Sequence, residues 1–457
     1  MAAEFTTTNP ATGEVLREFS GMTDQQVDEV IAASYSAAQS WRDTDIEKRT
    51  APVRQAALLM EERAGQLADL LTLEMGKLPH EARAEVELSA AILRYYADEG
   101  PRLLADEPLS PASGGEAVLR YEPIGPILGV MPWNFPYYQV VRLAAPNLVL
   151  GNTIILKHAS NCPQSALAVE ELFTEAGLPQ GCYHNVFADK DQVQRIVSSE
   201  KVRGASLTGS ERAGSAVAAG AGKHLKKFIL ELGGSDPFIV LDSDDLEATV
   251  DAAVAGRMAN SGQSCIASKR LIVAEEHYDE FVSLLTRKMS AFVPGDPYEE
   301  GTTMATLSSE QAAEDLMEQV DDAVDKGAEV LTGGGRVERP GAFVQPTVLT
   351  GVTPQMRAYS EELFGPVAVV YKVSDEDDAV RLANDSSFGL GGTVVSADVQ
   401  KAQRVADRID TGMVWINQAT WTEPDLPFGG TKRSGVGREL GAEGIFEFVN
   451  KKLIRTP

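Results

Sequence analysis

Residues 127–157 read ILGVMPWNFPYYQVVRLAAPNLVLGNTIILK. Two Ile/Leu/Val-rich runs, 127–131 and 153–157, flank a helix-length segment at 138–150. A short apolar run, a helix and a second short apolar run make a parallel crossover unit. The alternation continues with strands expected at 183–187, 205–208 and 228–232, and helices at 163–176, 189–198 and 211–221. Such strands, apolar on both faces, belong to a parallel sheet covered by helices on both sides. The fold class is therefore α/β, with a doubly wound, Rossmann-type sheet. After Gly233-Gly234 the rhythm restarts with strands at 238–241, 269–274, 367–373, 392–395 and 413–417, so a second α/β domain is expected from residue 234.

Upstream, residues 23–40, 52–76 and 79–99 read as helices, the second opening on Pro52 and the third stopping at Gly100-Pro101. Between 107 and 125 a Pro/Ser/Gly-rich stretch (PLSPASGGEA) separates strand-like pieces. It reads either as a surface hairpin or as an arm that reaches another subunit. A chain of 457 residues is too long for one simple core. Its 43% apolar content is ordinary for a globular protein, and no apolar run approaches the length of a membrane span. The first residues, MAAEFTTTNP, lack the basic and apolar regions of a signal peptide. Three cysteines without CxxC spacing argue for a reducing compartment, against a disulfide framework and against cysteine-held zinc. A cytoplasmic location is expected. The net charge of −26 speaks against nucleic acid or an anionic membrane as partners.

Five segments suggest chemistry. Asn260-Ser-Gly-Gln-Ser-Cys265-Ile-Ala267 surrounds one cysteine with small, polar residues, which suits a nucleophile that a carbonyl carbon must approach. A small buried hydrophobe is the alternative. Thr208-Gly-Ser-Glu-Arg-Ala-Gly214 follows a strand and opens a helix, so its N–H groups can meet a phosphate. Lys157 ends a strand at the carboxyl edge of the sheet, where open α/β sheets bind ligands. Glu231 ends the run Phe228-Ile-Leu before Gly233-Gly234, a setting for a partly buried general base. In Pro132-Trp-Asn-Phe-Pro136, Asn134 offers an uncharged donor to a developing oxyanion.

Taken together and in this order, PWNFP, the strand-end lysine, TGSxxxG, LELGG, GQSC, EELFGPV and PFGGTKRSGVGRE resemble the aldehyde dehydrogenase superfamily over nearly the whole chain. The resemblance implies a Rossmann-type cofactor domain (1–106 and 126–233), a catalytic domain (234–433) and a small β oligomerisation arm with a C-terminal strand (107–125 and 434–457). It makes Cys265 the nucleophile, Glu231 the base that activates the deacylating water, and Asn134 the side-chain half of the oxyanion hole. Trp133, Lys157, Ser160, Gly209, Ser210, Glu362 and Phe364 would contact NAD or NADP. Phe135, Phe428 and Arg142 would face the substrate. No metal is needed, and a homodimer or homotetramer is implied.

Two departures from the family pattern sharpen the expectation. Strictly NAD-using members carry a glutamate three residues after the lysine; here Ser160 stands there, so NADP is expected to be accepted, with dual use of NAD. Some succinate-semialdehyde dehydrogenases carry a second cysteine two residues after the nucleophile; here it is Ala267, which removes that redox switch. Arg142, eight residues after Asn134, and TWT at 420–422 resemble the bacterial succinate-semialdehyde dehydrogenases. Arg142 is accordingly expected to hold a distal carboxylate by a charge-assisted contact. Ala259 stands where some relatives use another arginine. Rival readings are dehydrogenation of another small aldehyde, a CoA-acylating enzyme, a structural protein using the fold, and a cofactor-free cysteine hydrolase. Glu231 speaks against the second, the trio Cys265–Glu231–Asn134 against the third. The fourth would want a histidine partner, and none of the five histidines lies in a motif that suggests one.

Overall fold

The computed structural model describes residues 4–457. Two twisted sheets form its framework. The first has six strands in the order Gly435–Val436, Lys227–Glu231, Gly204–Thr208, Pro126–Val130, Thr153–Lys157 and Tyr183–Asn185. All neighbours are parallel except the first pair. Chain order reverses at Pro126–Val130, which lies between the strands second and fourth in sequence, so the switch-point crevice opens above it. The second sheet has seven strands in the order Glu329–Thr332, Thr347–Thr350, Val367–Val373, Ser268–Ala274, Asp236–Val240, Thr393–Val395 and Trp415–Ile416. Only the Glu329–Thr332 edge is antiparallel.

Each sheet is covered on both faces. Helices Tyr138–Leu150 and Pro79–Leu103 bury Val140, Leu148, Leu93 and Tyr96 against one face of the first sheet. Helices Asp24–Trp41, Lys190–Ser198 and Glu211–Lys223 bury Val27, Ile196 and Val217 against the other. Local chemistry sets their ends: Thr23 and Asp189 each form a capping box, with Gln26 and Gln192. Gly76 at φ +78° closes the helix Ala64–Met75 in the left-handed conformation that glycine favours.

Several expectations are corrected. Residues 52–76 form two helices, Ile46–Glu62 and Ala64–Met75, and Pro52 lies inside the first rather than opening it. The helix from Pro79 continues through Gly100-Pro101 to Leu103. The segment 434–457 divides. Gly435–Val436 pairs with Lys227–Glu231, and only Val449–Thr456 joins the arm. There Val449–Thr456 pairs with Glu116–Pro123 of its own chain, and Glu107–Leu109 completes a three-stranded sheet.

Candidate active site

The carboxyl ends of the first sheet face the amino ends of the second. Pro132 to Phe135 follow the strand Pro126–Val130, Gly209-Ser210 follow Gly204–Thr208, and Glu231 ends its own strand. From the other side, Cys265 precedes the strand Ser268–Ala274 and Glu362 precedes Val367–Val373. Two cavities meet between them, one of about 630 Å³ and one of about 270 Å³. Cys265 and Gln139 line both.

The turn before Cys265 is strained. Asn260, Ser261 and Gly262 have φ of 56°, 53° and 76°, three left-handed residues in succession. For the two that carry a Cβ this costs roughly 1–2 kcal/mol each. The surroundings over-determine the turn. Asn260 N donates to Glu81 Oε1 at 2.7 Å, and its Nδ2 donates to Asn134 O at 2.9 Å. Arg257, fully buried, donates from Nη2 to Gly262 O at 2.7 Å and to Gly365 O. Gln263 Oε1 accepts from Ser308 N at 2.9 Å. Cys265 is half-buried, open only toward the cavities, and burial pushes its thiol well above the usual range.

Asn134 is 4% exposed. Its Oδ1 accepts from Gln139 Nε2 at 2.9 Å, which turns its Nδ2 toward the nucleophile loop, where one N–H reaches Gln263 O at 3.1 Å. The Asn134 carbonyl accepts from Lys77 Nζ at 3.2 Å. Lys77 also pairs with Glu85 in full burial, and Glu85 accepts the N–H groups of Tyr137 and Tyr138. These partners are 52 to 57 residues from the motif they fix, so no local pattern announces them.

Glu231 is 2% exposed, and burial raises its carboxyl to about 7. Arg142, expected from the sequence at the substrate's distal carboxylate, opposes that rise. It does not line the substrate-side cavity. Its guanidinium, fully buried, holds Glu231 Oε2 at 3.1 Å and Glu439 Oε2 at 2.6 Å. The same group donates to Thr208 Oγ1 and Tyr138 Oη, both at 3.1 Å, and lies between the rings of Tyr138 and Phe428. Two buried carboxylates draw the cation inward, because an unpaired charge there would cost several kcal/mol. Glu439 reaches this place because its backbone exchanges two hydrogen bonds with Phe428, of 2.7 and 2.8 Å.

The larger cavity is lined by Trp133, Gly209, Ser210, Glu362 and Phe364. Ser210 caps the helix Glu211–Lys223, and Gly209, at φ +151°, takes the corner before it. Trp133 and Phe364 meet edge to face at 5.7 Å. Glu362 Oε1 accepts from Gly234 N at 3.0 Å and pairs with Lys269 Nζ at 3.0 Å. Lys157 and Ser160 lie outside this lining, farther along the sheet edge. Burial and the nearby Lys190 lower the Lys157 ammonium. Ser160 is exposed, and its carbonyl accepts from Thr6 N at 2.9 Å. Such a set fits a dinucleotide: a helix N-terminus for phosphate, a carboxylate for a ribose diol, and a lysine and a serine at the sheet edge.

The smaller cavity is mostly apolar. Phe135, Tyr138, Ile266 and Phe428 wall it, with Thr420, Trp421 and Thr422 along one side. Its basic lining residues are Lys77, already paired with Glu85, and the exposed His80. His80 sits in the first turn of the helix Pro79–Leu103, far in sequence from every motif and invisible to a motif search.

A model of the aldehyde dehydrogenase family matches residues 1–454. The succinate-semialdehyde dehydrogenase [NADP(+)] of Deinococcus radiodurans is 58% identical over 451 residues, covering 99% of this chain and 94% of that protein. A Mycobacterium tuberculosis protein named succinate-semialdehyde dehydrogenase [NADP(+)] 1 is 46% identical over 450 residues, covering 98% of each. Among solved structures, succinic semialdehyde dehydrogenase from Streptococcus pyogenes in complex with NADP+ superposes with a TM-score of 0.97 at 45% identity, covering 99% of this chain and 100% of that one. Gox0499 superposes with a TM-score of 0.98 at 46% identity over 99% of this chain and 100% of its own. With a family model spanning almost all of its length, this chain belongs to the aldehyde dehydrogenase family.

Proposed function

We propose that this protein oxidises succinate semialdehyde, or a closely related semialdehyde, to the carboxylate, with NADP+ as acceptor and NAD+ as a second choice. The observation that carries the reading is the meeting of the two cavities at Cys265, with Asn134 and Glu231 on the wall of the larger one. The relatives named for succinate semialdehyde and NADP(+) support the choice of substrate and cofactor.

The aldehyde carbon would enter through the smaller cavity and meet Cys265 as thiolate. The sulfur adds to the carbonyl, and the alkoxide is met by the second Asn134 Nδ2–H and the Cys265 backbone N–H. A bound nicotinamide supplies the hydride acceptor that turns the adduct into a thioester. Glu231 then takes a proton from water, whose oxygen attacks the thioester carbonyl; the acid leaves and the sulfur is restored. A carboxyl near pH 7 suits this work, since it is basic enough to take the proton and ionised enough to be available. At the cofactor's other end, Ser160 supports NADP+ because it offers a donor where a glutamate would repel a 2′-phosphate.

The distal carboxylate is assigned to the rim formed by His80 and the Thr420–Thr422 hydroxyls, not to Arg142. We further infer that Glu107–Leu109, Glu116–Pro123 and Val449–Thr456 form an oligomerisation surface of a dimer or tetramer. The domain reading, cofactor side and catalytic side, follows the two sheets. The deciding experiment is a steady-state panel of succinate semialdehyde and butanal against both cofactors, with and without CoA. NADP+-dependent acid formation without CoA supports the reading. A strict need for CoA, or more than a hundredfold preference for NAD+, sinks it.

A further inference from the structure

Three observations converge behind the nucleophile. Lys269, 1% exposed, donates from Nζ to Ser264 O and to Cys265 O, each at 2.8 Å. The same Nζ pairs with Glu362 Oε1 at 3.0 Å, and Glu362 lines the larger cavity. The loop held in this way contains the strained residues Asn260 to Gly262, so its resting position depends on external bonds. Arg257 makes a parallel bridge, from Gly262 O to Leu363 O and Gly365 O on either side of Phe364. One ammonium thus touches the nucleophile's own carbonyl and the carboxylate assigned to the nicotinamide ribose.

We propose that Lys269 is a positioning residue that couples occupation of the nicotinamide-ribose site to the nucleophile. The inference rests on the cofactor reading above. Charges face Cys265 from four directions: Glu231 from its strand end, Arg142 and Tyr138 from the helix Tyr138–Leu150, Lys269 from the following strand, and Glu362 from the opposite loop. Lys269 and Glu362 act in opposite senses on the thiol, the ammonium favouring the thiolate and the carboxylate opposing it. The carboxylate, 3.0 Å from the ammonium, offsets part of its effect. Ribose hydroxyls donating to Glu362 disperse its charge, leaving the ammonium less compensated and the thiolate favoured. Because Lys269 also fixes two loop carbonyls, the sulfur stays aimed at the cavity junction while this happens.

The test is the pH profile of iodoacetamide alkylation of Cys265, each profile normalised to its plateau, with and without NADP+. In the wild-type protein NADP+ should lower the midpoint by about one pH unit, a roughly tenfold rise in thiolate fraction below it. Adenosine 2′,5′-bisphosphate, which has no nicotinamide ribose, should leave the midpoint in place. Lys269→Met should bind NADP+ yet lose the shift and lower kcat more than it raises the NADP+ KM; Lys269→Arg should recover the shift. Lys269→Gln, which keeps donors but no charge, takes the place of Lys269→Met if that variant does not fold. An equal shift in the neutral variants, or a bound NADP+ that moves no midpoint in the wild type, overturns the coupling alone. Failure of the wild-type protein to bind either dinucleotide overturns the cofactor reading as well.

Discussion

Replacing Arg142 with methionine separates two accounts of one residue. If Arg142 gripped the substrate's distal carboxylate, its loss would raise the KM for succinate semialdehyde and spare butanal. The structure instead commits Arg142 to Glu231 and Glu439, at 3.1 and 2.6 Å. A point-charge value for a pair about 3 Å apart at an effective dielectric of about 20 is about 5 kcal/mol. The guanidinium is shared between two carboxylates, and side-chain relaxation with water penetration takes up much of the remainder. An upward move of about one to two pH units is left for Glu231, which already titrates near 7. The sign follows from the charge: removing a cation disfavours the carboxylate, so the active base appears only at higher pH. Glu439, now unpaired, pushes Glu231 the same way. The chemistry before thioester hydrolysis does not need this base. Rapid mixing at pH 7 should therefore give a burst of about one NADPH per subunit, followed by a steady state reduced about five- to fiftyfold, as the ionised fraction of the base falls. The acidic limb of kcat should move from near 7 to between about 8 and 9, with the KM ratio of succinate semialdehyde to butanal unchanged. A specific rise in the succinate semialdehyde KM with an unmoved limb would refute the assignment.

Asn134→Ala should lower kcat on the order of 10²–10³ with both aldehydes, checked by steady-state NADPH absorbance, because one oxyanion donor is lost. Ser160→Glu should cut kcat/KM for NADP+ by at least about tenfold while sparing or improving NAD+, measured as paired cofactor titrations. His80→Gln should raise the KM for succinate semialdehyde up to about fivefold without touching butanal, the small effect expected of an exposed ion pair.

Much of the architecture is legible in the sequence because periodicity and caps are local. The strands Thr153–Lys157 and Val367–Val373 and the helix Tyr138–Leu150 have the bounds that their apolar runs predict. Pro52 and Pro101 misled the reading for a physical reason. Proline's cost in a helix is offset where tertiary packing dominates, and Pro52 is buried among the helices. Glu329–Thr332 and Thr347–Thr350, four residues each, are too short to stand out from loop composition. Within the site, Cys265, Glu231 and Asn134 lie in motifs, and the fold brings all three to one cavity. Gln139, Lys77, Arg257 and Lys269 lie outside the motifs that suggest chemistry, and Glu439, the last residue of PFGGTKRSGVGRE, carries no sign of its pairing with Arg142. Several act across a long stretch of chain, as Lys77 does on Asn134 and Arg257 on Gly365, while Gln139 and Lys269 reach only four or five residues back and show their roles only once the loops are folded.

The basic residues around the site share one property. Lys77, Arg142, Arg257, Lys269 and Arg270 are all buried in a chain of net charge −26. Arg270 bonds only to carbonyls, those of Ser235, Leu382 and Ala383, each at 2.8 Å. Lys77, Arg257 and Lys269 bond to carbonyls around Asn134 and Cys265, and Arg142 to the carboxylate of Glu231. An interior cation is tolerable only where several acceptors converge, and acceptors converge where irregular loops leave carbonyls unused by sheet or helix. Irregular loops are also where nucleophile, oxyanion donor and base must sit if they are to face a cavity. Basic residues therefore gather near this site to hold the protein's own loops. What distinguishes a substrate-binding cation from such a strut is where its partners lie, and those of Arg142, the carboxylates of Glu231 and Glu439 and the hydroxyls of Thr208 and Tyr138, all belong to the protein.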